Sequence, residues 1–257
     1  MEKYLNIRNQ NIPVLGFGTW NITGNSCVES VEDALSMGYR HIDTARAYGN
    51  EKEVGRAMKN SSVRREDIYL VTKIATSELV PEKIIKVTDD SLKNLQTDYI
   101  DLLLIHWPVP GMDLKGILSE MMKLVKEGKT RTIGVSNFSP DLVQQALSIA
   151  PEIICNQVEF NPYHLQHENL HTAKENDMFI TAYTPVAKGK VNKDDKIVKI
   201  AEKHGKTPAQ VTLRWLAQHK NVSVIPKAAS KKHREENMDI FDFELDENEM
   251  KEIASAR

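Results

Sequence analysis

Cysteine is rare in this sequence, with two among 257 residues, Cys27 and Cys155. Two cysteines cannot build a disulfide framework, and neither belongs to a Cys-x-x-Cys pair, so we expect buried thiols in a reducing compartment. Twelve glycines and ten prolines are too few for a collagen-like or low-complexity chain. The composition is therefore that of an ordinary globular protein.

Long apolar runs and an excess of charge of one sign are also missing. No run approaches the roughly 18 residues of a membrane-spanning helix, and the first ten residues lack the apolar core of a signal peptide. Residues 254–257 match no lipidation signal. A formal net charge of −2 argues against a binder of nucleic acids or anionic membranes. We expect a cytoplasmic protein without nucleic-acid, membrane or obligate protein partners.

Eight short apolar runs alternate with amphipathic helical stretches along the chain. Their Val, Ile and Leu content is typical of strands that are buried on both faces of a parallel sheet. The runs are Val14–Thr19, Tyr39–Asp43, Ile68–Lys73, Tyr99–His106, Thr132–Asn137, Ile153–Gln157, Phe179–Tyr183 and Val222–Lys227.

The helix boundaries carry their own signals. Pro81 suits a first helical turn, and Gly128 suits a helix end. Candidate N-caps are Ser26, Ser139 and Thr207.

Two further elements flank the eight units. Residues Tyr4–Ile7 and Asn11–Val14 surround the turn-prone Arg8–Asn11 and predict a hairpin that plugs one end. The order Asp246-Glu247-Asn248-Glu249 is that of a capping box and predicts a final helix that ends near Ser255.

Eight strand–helix units in 257 residues indicate the α/β class and match the size of a closed (β/α)8 TIM barrel. An open doubly wound sheet is the alternative, but it usually has a glycine-rich dinucleotide turn after its first strand. Here Gly16-Phe17-Gly18 lacks the third glycine of that turn. Because no stretch has linker composition, we predict one barrel domain, residues 1–257, with the N-terminal hairpin and the C-terminal helix.

Polar side chains stand where the predicted strands end. The first are Asp43, with Tyr48 in the loop that follows, then Lys73 and His106. The later ones are Ser136-Asn137, Asn156-Gln157, Tyr183 and Lys227. Barrels of this kind place their active sites at the rim where the carboxyl ends of the strands meet. We therefore expect these side chains to form one constellation.

The first four of these residues have the chemistry to activate a carbonyl oxygen. A carboxylate from Asp43 beside Lys73 offsets the cost of burial and keeps the ammonium charged. A cation near the Tyr48 hydroxyl favours the phenolate, which predicts a phenol pKa below about 10 and a proton donor that works near neutral pH. His106 can orient the carbonyl by hydrogen bonding. These groups supply half of a carbonyl reduction, and the other half is a hydride donor.

The motifs around these residues resemble those of the aldo-keto reductase family. Gly38-Tyr39-Arg40-His41-Ile42-Asp43-Thr44-Ala45, with Tyr48, Gly49, Asn50 and Glu51, is similar to the family's first signature. The later signatures are matched in order and spacing by Leu104–Pro108, Ile133–Phe138, Asn156–Glu159 and Ile225–Lys227. The match covers essentially the whole chain, and five ordered motifs together are a specific signal. The most similar group is the bacterial and archaeal 2,5-diketo-gluconate reductase-like or small-aldehyde reductases.

The resemblance implies a (β/α)8 barrel that uses NADPH without a Rossmann fold. It implies a catalytic tetrad of Asp43, Tyr48, Lys73 and His106, with Tyr48 as the proton donor. The nicotinamide end of the cofactor is implied at Ser136, Asn137, Gln157 and Tyr183, and Thr184 and Pro185 are implied as further cofactor contacts. The adenosine end is implied at Lys227, Ala228, Ser230, His233, Arg234, Glu236 and Asn237. The substrate pocket is implied at Trp20, Tyr48, His106 and Trp107, and no metal is expected.

The adenosine segment departs from the family pattern at two positions. Ala228 stands where the family usually has Ser, and His233 stands where it usually has Arg. These changes weaken the expected grip on a 2′-phosphate, because an anion is best held by Arg or Lys. Ser230, Lys231 and Arg234 are candidates to compensate. The sequence favours NADPH and leaves NADH possible.

Segments that cover the substrate in the family are short here. Thirty residues follow Lys227, and the loops Val109–Leu114 and Pro185–Asp194 are brief. We therefore expect an open pocket with aromatic walls, and broad use of small aldehydes or dicarbonyls.

Three alternatives to the reductase hypothesis remain open. Lys73 could form a Schiff base in an aldolase or lyase, although Asp43 should keep it charged. The chain could also be a non-enzymatic, nicotinamide-binding redox sensor. His164, His167 and His171 have spacings that invite a metal site, but no matching Cys or Glu cluster supports one.

Overall fold

The computed structural model describes residues 3–256. Met1, Glu2 and Arg257, which belong to the predicted domain and to the predicted absence of terminal signals, lie outside the described residues. Within 3–256, no helix is long and apolar enough to cross a membrane.

Eight parallel strands form one curled sheet, and their order in the sheet follows their order in the chain. An antiparallel hairpin, β1 (Tyr4–Ile7) with β2 (Gln10–Pro13), precedes the sheet. The parallel strands are β3 (Phe17–Gly18), β4 (His41–Asp43), β5 (Tyr69–Ile74), β6 (Ile100–Ile105), β7 (Thr130–Ser136), β8 (Ile153–Glu159), β9 (Phe179–Tyr183) and β10 (Val222–Val224).

The two ends of the sheet meet through hydrogen bonds. Leu15 and Val224 form a parallel bridge. The Val224 amide donates to the Val14 carbonyl at 2.7 Å, and the Gly16 amide donates to the Val224 carbonyl at 2.8 Å. The fold is therefore TIM-barrel-like, with no row of unpaired backbone groups between β3 and β10 at this point.

Helices pack around this sheet. They are α1 (Gly24–Met37), α2 (Glu51–Asn60), α3 (Pro81–Leu95), α4 (Leu114–Lys126), α5 (Pro140–Ile149), α6 (His167–Glu175), α7 (Asp195–His204), α8 (Pro208–Gln218), α9 (Lys231–Met238) and α10 (Glu247–Ala254). Short 3₁₀ helices at Arg46–Tyr48, Arg65–Asp67, Thr76–Glu78 and Ala187–Lys193 occupy connections.

Most of the predicted helix signals are confirmed. Pro81 occupies the first turn of α3, and Ser139 caps α5. Complete capping boxes begin α8 at Thr207 and α10 at Asp246. The prediction for Ser26 is wrong, because the extended residue before α1 is Thr23 and Ser26 lies inside the first turn.

The hairpin and the two strands that join the ends of the sheet differ from their predicted bounds. Arg8 and Asn9 have positive φ values of 48° and 63°, which makes a tight two-residue turn, so β2 begins at Gln10. Strand β3 is reduced to two residues, and β10 ends at Val224. Pro226 lacks an amide donor and only accepts a bond, from the Gly18 amide at 3.2 Å, so the regular ladder does not continue through it.

The interior of the curled sheet is closed at the hairpin end by apolar side chains. Ile7 and Ile12 of the hairpin pack on Tyr69, Leu102 and Phe179 of the strands. Cys155 belongs to the same cluster, and Cys27 lies on the buried face of α1. Burial raises the pKa of both thiols to about 12, so they are small buried side chains, as predicted, and poor nucleophiles.

Candidate active site

The carboxyl ends of β4, β5 and β6 bring three of the predicted side chains together. Asp43 is the last residue of β4, Lys73 is the penultimate residue of β5, and His106 directly follows β6. Tyr48 comes from the 3₁₀ turn Arg46–Tyr48 that follows β4. The strand register brings these side chains to the same end of the sheet. Asp43 pairs with Val71, two residues before Lys73, and Lys73 pairs with Leu104, two residues before His106.

Lys73 and Asp43 form a fully buried ion pair. The two side chains are 1% and 2% exposed, and Lys73 Nζ donates to Asp43 Oδ1 at 2.6 Å. Lys73 Nζ also donates to the Thr44 carbonyl at 2.8 Å and contacts the Tyr48 hydroxyl at 3.4 Å. Burial opposes the charge, but Asp43 and Tyr48 outweigh it and hold the Lys73 pKa above its ordinary value. All three ammonium protons therefore have an acceptor.

The Tyr48 phenol has a pKa that is raised, not lowered as the sequence predicts. Burial of the phenol is the largest cause, and the Asp43 carboxylate adds to it. The Lys73 charge acts in the expected direction, downward, but is the smaller effect. The sequence argument omitted the cost of burying a phenolate. A raised pKa keeps the hydroxyl proton in place at neutral pH, which is what a proton donor requires.

His106 completes the group as a neutral imidazole. Its ring lies edge-on to the Tyr48 ring, with 5.6 Å between the ring centroids. Burial and then the nearby Lys73 charge lower the His106 pKa to about 4. At neutral pH the ring can therefore donate or accept one hydrogen bond without adding a second cation beside Lys73.

A second set of polar groups lies at the ends of β7, β8 and β9. The Tyr183 hydroxyl donates to Asn137 Oδ1 at 2.8 Å, and Asn137 Nδ2 donates to the His106 carbonyl at 3.2 Å. The Ser136 hydroxyl donates to the Gln157 carbonyl at 2.8 Å. Asn137 has a φ of 62°, in the left-handed region, and directly follows the last residue of β7. These residues form one network that continues the rim from His106.

Gln157 connects the two sets. Its Nε2 donates to Asp43 Oδ2 at 2.8 Å, so the two carboxylate oxygens of Asp43 are held by Lys73 and Gln157 respectively. The other amide atom, Gln157 Oε1, makes no hydrogen bond within residues 3–256. The amide nitrogen of Gln157 thus orients the ion pair, and the amide oxygen is left without a protein partner among these residues.

The predicted adenosine segment follows β10 and runs into α9. Lys227, Lys231 and His233 are exposed, and neither lysine forms a salt bridge with any described residue. Ser230 caps α9 by accepting from the His233 amide at 3.2 Å. Positive side chains beside a capped helix N-terminus are a donor set that suits an anionic group.

Arg234 differs from its predicted part in this segment. The sequence offers it as a cation for a phosphate, but it is 4% exposed and its Nη2 donates to Asp33 on α1 at 2.7 Å. Its Nη1 donates to the carbonyls of Ala228 and Ala229 at 3.0 and 2.9 Å. Arg234 therefore fastens the segment to α1. Glu236 is half-buried and Asn237 is buried, on the later turns of the same helix.

The remaining predicted residues lie one or two residues after the carboxyl ends of strands β3, β6 and β9. Thr184 is half-buried with a φ of 51°, and Pro185 is buried directly after it. Trp20 is 57% exposed and Trp107 is 47% exposed, which is unusual for indole rings.

A model of the aldo/keto reductase family matches residues 14–257. The chain belongs to the aldo/keto reductase family. The methylglyoxal reductase DkgB of Escherichia coli O157:H7 is 40% identical over 248 residues, which are 95% of this chain and 92% of the relative. The methylglyoxal reductase DkgA of Escherichia coli K12 is 40% identical over 254 residues, covering 95% of this chain and 89% of the relative.

Solved aldo/keto reductase structures have the same fold. The crystal structure of a proposed 2,5-diketo-D-gluconic acid reductase B superposes with a TM-score of 0.96 at 39% identity, over 99% of this chain and 91% of that one. An aldo/keto reductase from Brucella melitensis gives 0.93 at 39% identity, over 98% of both chains. The predicted resemblance is confirmed, and the chain is an oxidoreductase of this family.

Sequence reasoning missed several residues that hold this reductase site in place. The Thr44 carbonyl takes one Lys73 proton, and a main-chain acceptor leaves no signal in a sequence. Asn50 is buried and donates to the carbonyls of Thr19 and Ile22 at 3.0 and 2.9 Å. Its position in the first family signature was the available signal, but spacing alone assigns it no task.

His164, His167 and His171 have the spacing of a possible metal site. His171 lies 3.1 Å from Glu175 on α6, a one-turn pair on an exposed helix face. Among residues 3–256, no group of three or more His, Cys, Asp or Glu side chains could hold a metal ion.

Proposed function

We propose that this chain catalyses the NADPH-dependent reduction of small aldehydes, ketones and dicarbonyls to alcohols, with Tyr48 as the proton donor. The observation that carries the proposal is the contact of the Tyr48 hydroxyl with an ammonium whose charge is held by a buried carboxylate. Methylglyoxal is the substrate in the names of two relatives and fits the class of small dicarbonyls. The chemistry is that of an alcohol dehydrogenase or carbonyl reductase acting with a nicotinamide cofactor.

The proton path follows from the geometry. When bound, the nicotinamide cofactor would supply the hydride that the carbonyl carbon accepts. The Tyr48 hydroxyl gives its proton to the carbonyl oxygen, and the resulting phenolate is stabilised by Lys73 at 3.4 Å. Asp43 and the Thr44 carbonyl hold Lys73 charged and in place. Solvent then returns a proton to Tyr48 through the open rim.

His106 orients the carbonyl. A neutral imidazole can donate to the carbonyl oxygen from the side of the Tyr48 ring, and Lys73 disfavours a second positive charge there. Two donors on one oxygen would polarise the carbonyl and stabilise the negative charge that develops on that oxygen during reduction.

The cofactor is proposed to lie across the rim. Gln157 Oε1, Asn137 and Ser136 would hold the nicotinamide carboxamide, while Tyr183, Thr184 and Pro185 line its ring. Lys227, Ser230 and His233 would hold the 2′-phosphate, and Glu236 and Asn237 the adenine. Ala228 contributes backbone and Arg234 fixes that backbone to α1.

Substrate binding is proposed between Trp20, Tyr48, His106 and Trp107. Indole rings give contact area without directional demands, and their exposure leaves room for different small carbonyls. Weak, broad binding follows from this arrangement. The curled sheet and its bridged ends support a single closed (β/α)8 barrel as the frame.

The proposal is tested by a panel of carbonyls with NADPH and with NADH, followed by nicotinamide absorbance. We expect turnover of methylglyoxal, an aromatic aldehyde and a keto-sugar, with a higher kcat/KM for NADPH than for NADH. A sub-micromolar KM confined to one bulky steroid would contradict the open pocket. Tight NADPH binding with no turnover across the panel would support the redox-sensor hypothesis instead.

The pH dependence of kcat/KM follows from the two shifted groups. Tyr48 must be protonated, so the rate falls as pH rises through its pKa, which lies above the ordinary 10.0. His106 acquires charge only as pH falls toward its pKa of about 4. We expect kcat/KM to be constant between about pH 6 and about pH 9, since neither group titrates there. A sigmoidal change centred near pH 6.5, the ordinary His value, would contradict a neutral, buried His106.

The Schiff-base hypothesis gains no support from the geometry. A nucleophilic amine must be neutral and free to attack, whereas the Lys73 ammonium is kept charged and has an acceptor for each proton. Borohydride in the presence of substrate is therefore expected to leave Lys73 unmodified, as read by peptide mass.

A further inference from the structure

Arg46 lies two residues before Tyr48 in the same 3₁₀ turn, which follows β4. Its side chain points away from the carbonyl site, toward the 3₁₀ turn Thr76–Glu78 that follows β5. Strand β5 is the strand that carries Lys73. Arg46 and Glu78 thus belong to the two connections that follow the strands of Asp43 and Lys73.

The two side chains form a bidentate ion pair. Arg46 Nε donates to Glu78 Oε2 at 2.6 Å, and Arg46 Nη2 donates to Glu78 Oε1 at 2.7 Å. The side chains are 17% and 25% exposed, so solvent screens the pair less than a surface pair. Two parallel hydrogen bonds fix orientation as well as distance. Each partner moves the pKa of the other away from neutrality, raising that of Arg46 and lowering that of Glu78.

The remaining guanidinium nitrogen reaches a third element. Arg46 Nη1 donates to the Val87 carbonyl at 3.0 Å and to the Ser91 hydroxyl at 3.3 Å, both on α3. Glu51 of α2 lies 4.0 Å from the same nitrogen. The turn that carries Tyr48 is therefore tied on its outer side to the connection after β5 and to α3.

The two flanks of the turn are also anchored, because the Thr44 carbonyl accepts from Lys73 at 2.8 Å and the Thr44 hydroxyl donates to the buried Asn50 at 2.7 Å. The phenol itself is held less firmly. The Tyr48 hydroxyl has one ammonium contact, at the long distance of 3.4 Å, and its amide donates to the Ala45 carbonyl within the turn. The charged or titratable groups that face the phenol are Lys73, Asp43, His106 and Tyr183. Within residues 46–48, the bonds of the Arg46 side chain, at 2.6–3.3 Å, are all shorter than the single contact of the Tyr48 hydroxyl with Lys73 at 3.4 Å.

We propose that the Arg46–Glu78 pair is a positioning clamp that sets the distance between the Tyr48 hydroxyl and Lys73. The inference rests on the proposed reductase function, in which that distance controls proton donation. Arg46 and Glu78 touch neither substrate nor cofactor and act through Tyr48. The pair holds the turn that carries Tyr48 against the segment that follows β5, the strand that carries Lys73. The distance between the Tyr48 hydroxyl and the Lys73 ammonium is thereby kept constant.

The test is a double-mutant cycle with Arg46→Gln, Glu78→Gln and the double variant. The conservative Arg46→Lys keeps the charge without the bidentate fork. The matched control is Arg64→Gln, because Arg64 and Asp67 form another bidentate pair, at 2.9 and 3.0 Å, on the exposed connection that precedes β5. Each protein is assayed for kcat, for KM, for the Kd of NADPH by fluorescence quenching without substrate, and for the pH profile of kcat/KM.

We expect Arg46→Gln and Glu78→Gln each to lower kcat by about 10- to 100-fold, the cost of a misplaced reacting group. The double variant should be no worse than either single one, since both break the same pair. The alkaline limb of the pH profile should move to higher pH, because Lys73 no longer lowers the phenol pKa. The Kd of NADPH should stay within about twofold of its unmodified value in every variant. The kcat of Arg64→Gln should stay within about twofold of that of the unmodified chain, and the kcat of Arg46→Lys should lie between those of the unmodified chain and Arg46→Gln.

Several outcomes would overturn the clamp. Values of kcat within twofold of the unmodified chain for both single variants would do so, as would additive losses in the double variant. An unmoved alkaline limb with a lower kcat would indicate a loss of folded protein and not of position. If Arg46→Gln does not fold, the near-isosteric Glu78→Gln decides the question alone. Absence of turnover by the unmodified chain would refute the proposed function itself, and the clamp with it.

Discussion

Replacing Tyr48 with phenylalanine is expected to lower kcat for methylglyoxal by about 10³-fold, within the range for loss of a general acid. The variant keeps the ring that packs edge-on to His106 and removes only the hydroxyl that contacts Lys73. No other described hydroxyl makes that contact, so no neighbour can substitute directly. The measurement is a steady-state assay beside a fluorescence titration with NADPH, whose Kd should not change.

A matched control for this result is Tyr163→Phe. The Tyr163 hydroxyl bonds Asp194 at 3.2 Å, away from the Lys73 ammonium, so its loss should leave kcat within about threefold. Retained turnover in Tyr48→Phe would refute the acid role. A weakened Kd for NADPH with an unchanged kcat would instead place Tyr48 in cofactor binding.

Replacing Lys73 with methionine is expected to lower the free energy of unfolding by about 3–5 kcal/mol, because it leaves the Asp43 carboxylate buried without its cation. Asp43 would retain only the Gln157 amide, at 2.8 Å. The same change removes the charge that stabilises the phenolate, so kcat should fall as well. Denaturant unfolding at constant pH measures the first effect, and the steady-state assay on folded protein measures the second.

Two comparisons separate burial from charge loss in this prediction. Lys129→Met removes ion pairs with Asp89 at 2.7 Å and Glu127 at 3.2 Å from a partly exposed surface site and should cost about 0–1 kcal/mol. Asp43→Asn combined with Lys73→Met removes both charges and should restore most of the stability, but no activity. A loss in Lys73→Met as small as that in Lys129→Met would show that the pair is not desolvated.

The fold could be predicted closely because its signals are local and repeated. Strand–helix alternation, the cap at Ser139 and the capping boxes at Thr207 and Asp246 depend on neighbours within a few residues. Bounds failed where long-range hydrogen bonds set them. Only Phe17 and Gly18 of β3 pair with β4. The link to β10 is a single bridge at Leu15, which lies outside the strand.

The candidate site could be predicted as a set of residues but not as an electrostatic system. The repeat of strands and helices places Asp43, Lys73 and His106 at the carboxyl ends of three neighbouring parallel strands, and this repeat is visible in the sequence. The direction of the Tyr48 pKa depends on a balance between burial and one cation at 3.4 Å. Neither the depth of burial nor that distance is written in residue spacing, which is why the prediction for this pKa was wrong.

By itself, the sequence determined the α/β class, the order of the strands, the family and the residue types at the carboxyl rim. These properties depend on periodicity and on motif order, which are one-dimensional. Only the tertiary structure decided that Arg234 ties the segment after β10 to Asp33, that Gln157 donates to Asp43, and that Arg46 pairs with Glu78. Those contacts join residues 32 to 201 positions apart, and their energies depend on angles and desolvation that exist only once the chain has folded.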